Sequence, residues 1–275
     1  MVTGSKTHTS FQISDDIVAP DKMEECHLSI QIEHSSYCWC LTLLNDGKIV
    51  ELGRKQFSEM EEGNVPFPHK YGSTTVGLHS VTQSLIPESL FDANHAARVL
   101  SPSGTINEVR TAHVQDPAAK MVFEGKSKIE GALIDSIPGA VVKPNLAWTI
   151  QSVMKKNRID RPPQLYVDIA NDSMEVVAVA HKELLLANSF SIASDEDTLY
   201  HISNVMKVLG LDNEKTTVLL SGDIEVHGPR FELYKKYLHN PEVTFGFSIP
   251  RMTVALSSIR KQNFVSLFNQ FTCVS

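Results

Sequence analysis

Residues able to do chemistry are numerous in this chain, but few stand at the spacings chemistry requires. Eleven histidines are scattered, and no two are spaced as a helix would present them to a metal. Cys26, His27, His34 and Cys38 offer zinc-type ligands, yet strand alternation and an intervening loop give them no common point. Serine is common and nothing marks a nucleophile elbow, so no Ser-His-Asp set can be assigned. Lys235-Lys236 beside Tyr234 and Tyr237 reads as a solvated helix face. What remains is one carboxylate and two turns. Asp168 closes the apolar run Leu165-Tyr166-Val167-Asp168-Ile169, the turn Ala170-Asn171-Asp172-Ser173 follows it, and Ser221-Gly222-Asp223 comes later. By themselves, Asp168 can bond a neighbouring turn, Asn171-Asp172 makes a tight reversal, and Gly222 relieves a positive φ.

The elements that must position these residues follow from periodicity. Leu165 to Phe190 is two extended apolar runs folded over the turn at 170–173. An earlier stretch matches it: Leu28-Ser29-Ile30-Gln31-Ile32-Glu33-His34-Ser35-Ser36 keeps its apolar residues in phase with Leu165 to Ser173. Tyr37 to Leu44 then runs to Asn45-Asp46-Gly47, a hairpin signal, and Lys48 to Phe57 makes a third strand. The spacing predicts a loop over 58–75, a strand over Val81–Ile86, and a helix from Pro87 to Leu100 stopped by Ser101-Pro102-Ser103-Gly104. A strand at Ala119–Phe123 and the extended pair Val141-Val142 come next. Asn145 is expected to cap a helix whose stripe is Leu146, Ile150, Val153 and Met154.

The charged stretch Lys155 to Pro163 divides the chain, because Pro162-Pro163 suits neither a helix interior nor a central strand. In the second half, Ser194 with Asp197 reads as a capping box. Leu199, Ile202, Val205, Met206 and Leu209 form the stripe behind it, and Gly210 is the stop. A strand over Thr216–Leu220, a helix over Pro229–Leu238, a strand over Glu242–Ile249 and a closing helix over Asn263–Phe271 complete the order. Each half is a β-meander followed by helices and strands, which implies an α/β fold from an internal duplication. The expected units are an N-terminal arm or edge segment over 1–23, a first lobe over 24–158 and a second over 159–275.

Bulk properties bound the function. The 275 residues carry 25 Lys+Arg against 32 Asp+Glu, a net charge of −7 with both signs interspersed, which disfavours nucleic acid and anionic membranes. No run approaches the roughly 18 apolar residues of a membrane span, and the opening lacks a signal's apolar core, so a cytoplasmic protein without membrane insertion is expected. Four cysteines (Cys26, Cys38, Cys40 and Cys273) are too few and ill-spaced for a disulfide framework and read as reduced, buried thiols.

The duplicated meander resembles the superfamily of actin, sugar kinases and the large heat-shock chaperones, in which nucleotide sits between two such lobes. Three runs carry a closer likeness: Ser84-Leu85-Ile86-Pro87-Glu88-Ser89-Leu90-Phe91-Asp92, Leu219-Leu220-Ser221-Gly222-Asp223-Ile224, and Phe264-Val265-Ser266-Leu267-Phe268-Asn269-Gln270-Phe271. They are similar to an uncharacterised domain of unknown function from Bacteroidetes bacteria, itself like the actin-like proteins of pilus assembly and type II secretion. The resemblance implies a duplicated actin-like (ribonuclease H-like) fold with a cleft lined by Gln31, Asp168, Asn171, Ser173, Ser221 and Gly222.

In active members, as the resemblance has it, an Asp and glycines in the lobe turns hold hydrated magnesium and present bare amides to phosphate. Here the first turn carries Gln31, Glu33 and His34 without glycine. The second keeps Asp168 but replaces the small residues with Ala170, Asn171, Asp172 and Ser173. The reading this favours is a catalytically silent interaction or scaffold protein, with no cofactor, no catalytic or metal residues, a protein partner, and pairing as a homodimer open to it. The alternative is a divergent ATPase or small-molecule kinase binding ATP and magnesium through Asp168 and Gly222, and a third is a cleft for another small ligand.

Overall fold

The computed structural model describes residues 9–14, 18–60, 66–101, 106, 108–125, 128–246 and 251–274. The first meander is β2 (Cys26–Ile32), β3 (Ser36–Leu43) and β4 (Lys48–Gln56), preceded by β1 (Phe11–Ser14), which pairs antiparallel with the edge of β4. Then come β5 (Ser73–Leu78), β6 (Gln83–Pro87), α1 (Ala96–Leu100), β7 (Val109–Val114), β8 (Ala119–Glu124), α2 (Lys128–Asp135), β9 (Val141–Pro144) and α3 (Asn145–Lys156). The second meander is β10 (Gln164–Ile169), β11 (Ser173–Ala180) and β12 (Glu183–Ser191). It is followed by α4 (Asp195–Val208), β13 (Thr217–Gly222), α5 (Pro229–Tyr234), β14 (Pro241–Val243), β15 (Arg251–Met252) and α6 (Val265–Val274).

These strands form three sheets among the described residues: seven strands in the order β1-β4-β3-β2-β5-β9 with β15 beside β4, five in the order β12-β11-β10-β13-β14, and three in the order β6-β8-β7. The meander of each large sheet has the same order and sense, and its register matches position for position. Gln31 faces Cys38 on one side and Gly77 on the other, while Asp168 faces Glu175 and Ser221.

One continuous apolar cluster joins the first sheet (Leu28, Ile30, Tyr37, Trp39), the small sheet (Val114, Met121, Phe123), α3 (Leu146, Ile150, Val153) and one face of the second sheet (Tyr166, Val177, Val179). The other face of the second sheet packs against α4 and α5 through Val167, Val176, Ile202 and Tyr234. The other face of the first is covered by α6 and the 3₁₀ turn before it, where Cys38, Cys40 and Leu52 meet Phe264, Leu267 and Phe268. All four cysteines are free, and the pair two apart in β3 does share a face.

Several expectations need correction. The stretch read as a loop ends in β5, a central strand whose Thr-Thr-Val-Gly-Leu run lacks polar alternation because both its faces are covered. The helix expected from Pro87 is two 3₁₀ turns, Glu88–Leu90 and Ala93–His95, with only α1 helical, since Asp92 caps the second turn by accepting from the Asn94 amide. Strand β7 and helix α2 had no clear signal. Asn145 is the first residue of α3 rather than its cap, a place taken by Pro144 without a side-chain bond. The helix from Pro229 ends at Tyr234, and the strand expected over Glu242–Ile249 is the three-residue β14, with 247–249 outside the described residues. The capping box at the start of α4 forms: Ser194 Oγ accepts from the Asp197 amide at 3.1 Å, and Asp197 Oδ2 accepts from the Ala193 amide at 2.9 Å. Gly210 follows α4 at φ +64°.

Candidate functional site

A cleft of about 260 Å³ opens where the first turn of each meander meets the other sheet. Gln31, Asp168, Asn171, Ser173 and Gly222 line it, and Ser221 sits behind it, donating to Asp168 Oδ1 at 2.8 Å. The topology thus brings together all six residues singled out in the sequence.

Their chemistry is dominated by partners the sequence did not disclose. Asp168 accepts from Ser221 on one oxygen and from Ser266, at the start of α6, on the other. Burial raises its pKa, partly offset by those two hydroxyls. Beside it on β11, Glu175 is only 5% exposed. Burial, then the Asp168 charge, push its carboxyl up to about 8. Two carboxylates directly opposite one another across neighbouring strands repel unless one holds a proton. Gln83 of β6 reaches across with Nε2, 2.5 Å from Ser189 Oγ and 3.5 Å from Glu175 Oε1. His79, just past β5, lies with Nε2 3.0 Å from Ser173 Oγ. Both contacts tie the strands of one sheet to the segments following the other.

Gly222 has φ +83°, and a Cβ there would overlap the Ile169 carbonyl, so glycine is required by the close approach of β10 and β13. The first turn is held by Ser36 Oγ donating to Glu33 Oε2 at 2.7 Å, while Arg54 Nη2 donates to Glu33 Oε1 at 2.9 Å. Asp223 is paired with Arg230 at 3.3 Å. Asn171 and Asp172 are exposed at the tip of the second turn. The lining therefore carries five carboxylates (Glu33, Asp168, Asp172, Glu175 and Asp223), and its one arginine, Arg54, is taken up by Glu33. Among the described residues no three His, Cys, Asp or Glu side chains converge to hold a metal ion. Both oxygens of Asp168 are already engaged by hydroxyls, and the lining's arginine is already paired.

Glu175 leaves a faint trace in sequence, as the lone charge in the run Ser173-Met174-Glu175-Val176-Val177-Ala178-Val179. His79, Gln83, Ser189 and Ser266 leave none, because their partners are 90 or more residues away in the chain.

Comparison with known proteins places this architecture. The sequence profile of the family described as "Protein of unknown function (DUF3822)" matches residues 15–240. The chain belongs to that family. No curated protein matches it in sequence. Among solved structures, this family member is similar to a Bacteroides thetaiotaomicron protein with an actin-like ATPase fold and unknown function. The TM-score there is 0.71 at 18% identity, over 88% of this chain and 97% of that one. It is also similar to the PilM–PilN type IV pilus biogenesis complex, with TM-score 0.56 at 12% identity over 90% and 98%. The cytoplasmic domain of EpsL, an inner membrane component of the Vibrio cholerae type II secretion system, matches at TM-score 0.44 and 11% identity over 80% and 89%. The fold of this DUF3822 member is thus α/β and actin-like, in keeping with the expected resemblance. Among its described residues no helix is long and apolar enough to cross a membrane.

Proposed function

We propose that this DUF3822 protein is an actin-like interaction or scaffold module that works without nucleotide turnover. The observation that carries the reading is the state of Asp168. Both of its oxygens are engaged by Ser221 and Ser266, and it stands beside Glu175, so it acts as a strut between the second sheet and α6. A carboxylate held this way is not free to organise hydrated magnesium, and the surrounding carboxylates would repel a triphosphate.

The same reading takes the chain as a duplication, with lobes over 24–158 and 159–275 behind an arm at 1–23. The shared strand order and register of the two meanders support it. A protein partner is supported by the likeness to a fold found in the PilM–PilN complex. We place the protein in the cytoplasm and include self-association through its lobes among the modes of assembly.

The alternative, a divergent ATP-binding protein, draws on the roughly 260 Å³ cleft that Asp168 and Gly222 line. Thermal shift and calorimetry with magnesium ATP, on the native protein and on Asp168→Ala, separate the two. The scaffold reading expects no heat and no shift. Stabilisation of about 2.7 kcal/mol at ligand a hundredfold above Kd, lost in the variant, would install the ATP-binding reading instead.

A further inference from the structure

A second cavity, of about 240 Å³, lies on the face of the first sheet opposite α6. Tyr37, Trp39, Phe67 and Tyr71 give it aromatic walls, and Glu51 and Lys55 of β4 stand at its side. The register that builds it is specific. Gly53 is the cross-strand partner of Trp39, flanked by Glu51 opposite Leu41 and Lys55 opposite Tyr37. A Cβ at position 53 would overlap the Trp39 ring, so only glycine lets the indole lie across β4. The indole Nε1 donates to Glu51 Oε1 at 2.7 Å, and Gln12 Nε2 of β1 donates to the same oxygen at 3.1 Å. Phe67 closes the cluster edge-on, its centroid 5.8 Å from Trp39 and 6.1 Å from Tyr37.

Three properties of this arrangement specify a ligand class. Glu51 is half-buried, both of its hydrogen bonds fall on Oε1, and among the described residues no cation neutralises it. The walls include four aromatic rings, a residue type whose faces attract positive charge and whose bulk excludes water. Tyr71 is held neutral, because burial and then the Glu51 charge push its phenol up to about 12. Among the described residues no three His, Cys, Asp or Glu side chains converge to hold a metal ion, and an anion would meet Glu51. A cation whose own surface is apolar satisfies both the walls and the carboxylate, while the exposed Lys55 can keep its ammonium in solvent.

We propose that this cavity binds a small organic cation with a quaternary ammonium head, set against Trp39 and Tyr71 and neutralised by Glu51. The test is calorimetric titration of the full chain with choline and, in parallel, with 3,3-dimethyl-1-butanol, its uncharged carbon isostere. Saturable choline binding at least about tenfold tighter than the alcohol is expected, and Glu51→Gln should weaken choline by about tenfold while leaving the alcohol unchanged. Equal binding of the two ligands, choline binding undiminished in folded Glu51→Gln, or no saturable heat at tens of millimolar choline would each overturn the proposal. Should Glu51→Gln fail to fold, the comparison of choline with its isostere on the native chain decides alone.

Discussion

Two cross-strand rows occupy matching places in the two large sheets, and they carry opposite chemistry. In the first, Arg54, Cys38, Gln31 and Gly77 lie side by side, and in the second Ser189, Glu175, Asp168 and Ser221. The first row holds one buried cation, which is neutralised within its own sheet by Glu33. The second holds two adjacent acids, one of them needing a proton near neutral pH, and its hydroxyl partners come from β13 and α6. Matching register thus carries a self-contained ion pair on one side and, on the other, two neighbouring acids that repel one another. Strand register is set by backbone pairing and apolar alternation, so it survives changes in the polar row that remake the electrostatics completely.

The sharpest way to break the contrast is Arg54→Ala. Arg54 is 4% exposed and its removal leaves Glu33 without its cation and Cys38 without its Nη2 contact, so a loss of about 2–3 kcal/mol in denaturant unfolding is expected. Glu33 is 26% exposed, which keeps the cost below that of a fully buried pair. A loss under half a kilocalorie would place the stability of the first row in its packing alone.

The second row should respond to pH instead. Glu175 has a folded-state pKa raised from 4.5 to about 8, so the folded chain holds a proton that the unfolded chain releases between those values. Its contribution is therefore most favourable at acid pH and declines as pH rises toward 8. Glu175→Gln should flatten that slope and raise stability at pH 8.5 by on the order of 2 kcal/mol relative to the native protein. Parallel native and variant curves of melting temperature against pH would refute a proton on Glu175. The smallest effect expected is for Ser173→Ala, which removes the contact with His79 across the cleft and should cost about 1 kcal/mol. Amide exchange resolves it: faster exchange confined to the strand ends beside His79 and Ser173 is the expected pattern, and unchanged rates would mean that this contact ties nothing.

Legibility differed by region for physical reasons. Both meanders, the α4 capping box and Gly210 could be read because local alternation, a three-residue capping spacing and a positive φ are signals carried by neighbours in the chain. Strand β5 was hidden, because a strand covered on both faces loses the polar alternation that announces strands, and the helix expected from Pro87 gave way to two short turns, the second capped by Asp92. At the cleft, Asp168 and Gly222 were visible as residue types at strand ends. Glu175 showed only as a lone charge in its strand, and the hydroxyl of Ser266 that engages Asp168 not at all, since it comes from 98 residues away.

Sequence alone determined the α/β order and the repeated meander, because each follows from periodicity or from a turn that only certain residues accept, while the six candidate cleft positions came from the resemblance those elements carry. Tertiary structure alone decided what those positions do. It set Ser266 and Ser221 on the two oxygens of Asp168, left Glu175 buried beside it, and laid Trp39 across Gly53 with its indole on Glu51. Charge state and ligand preference depend on burial and on groups distant in the chain, and neither exists until the sheets close on their helices.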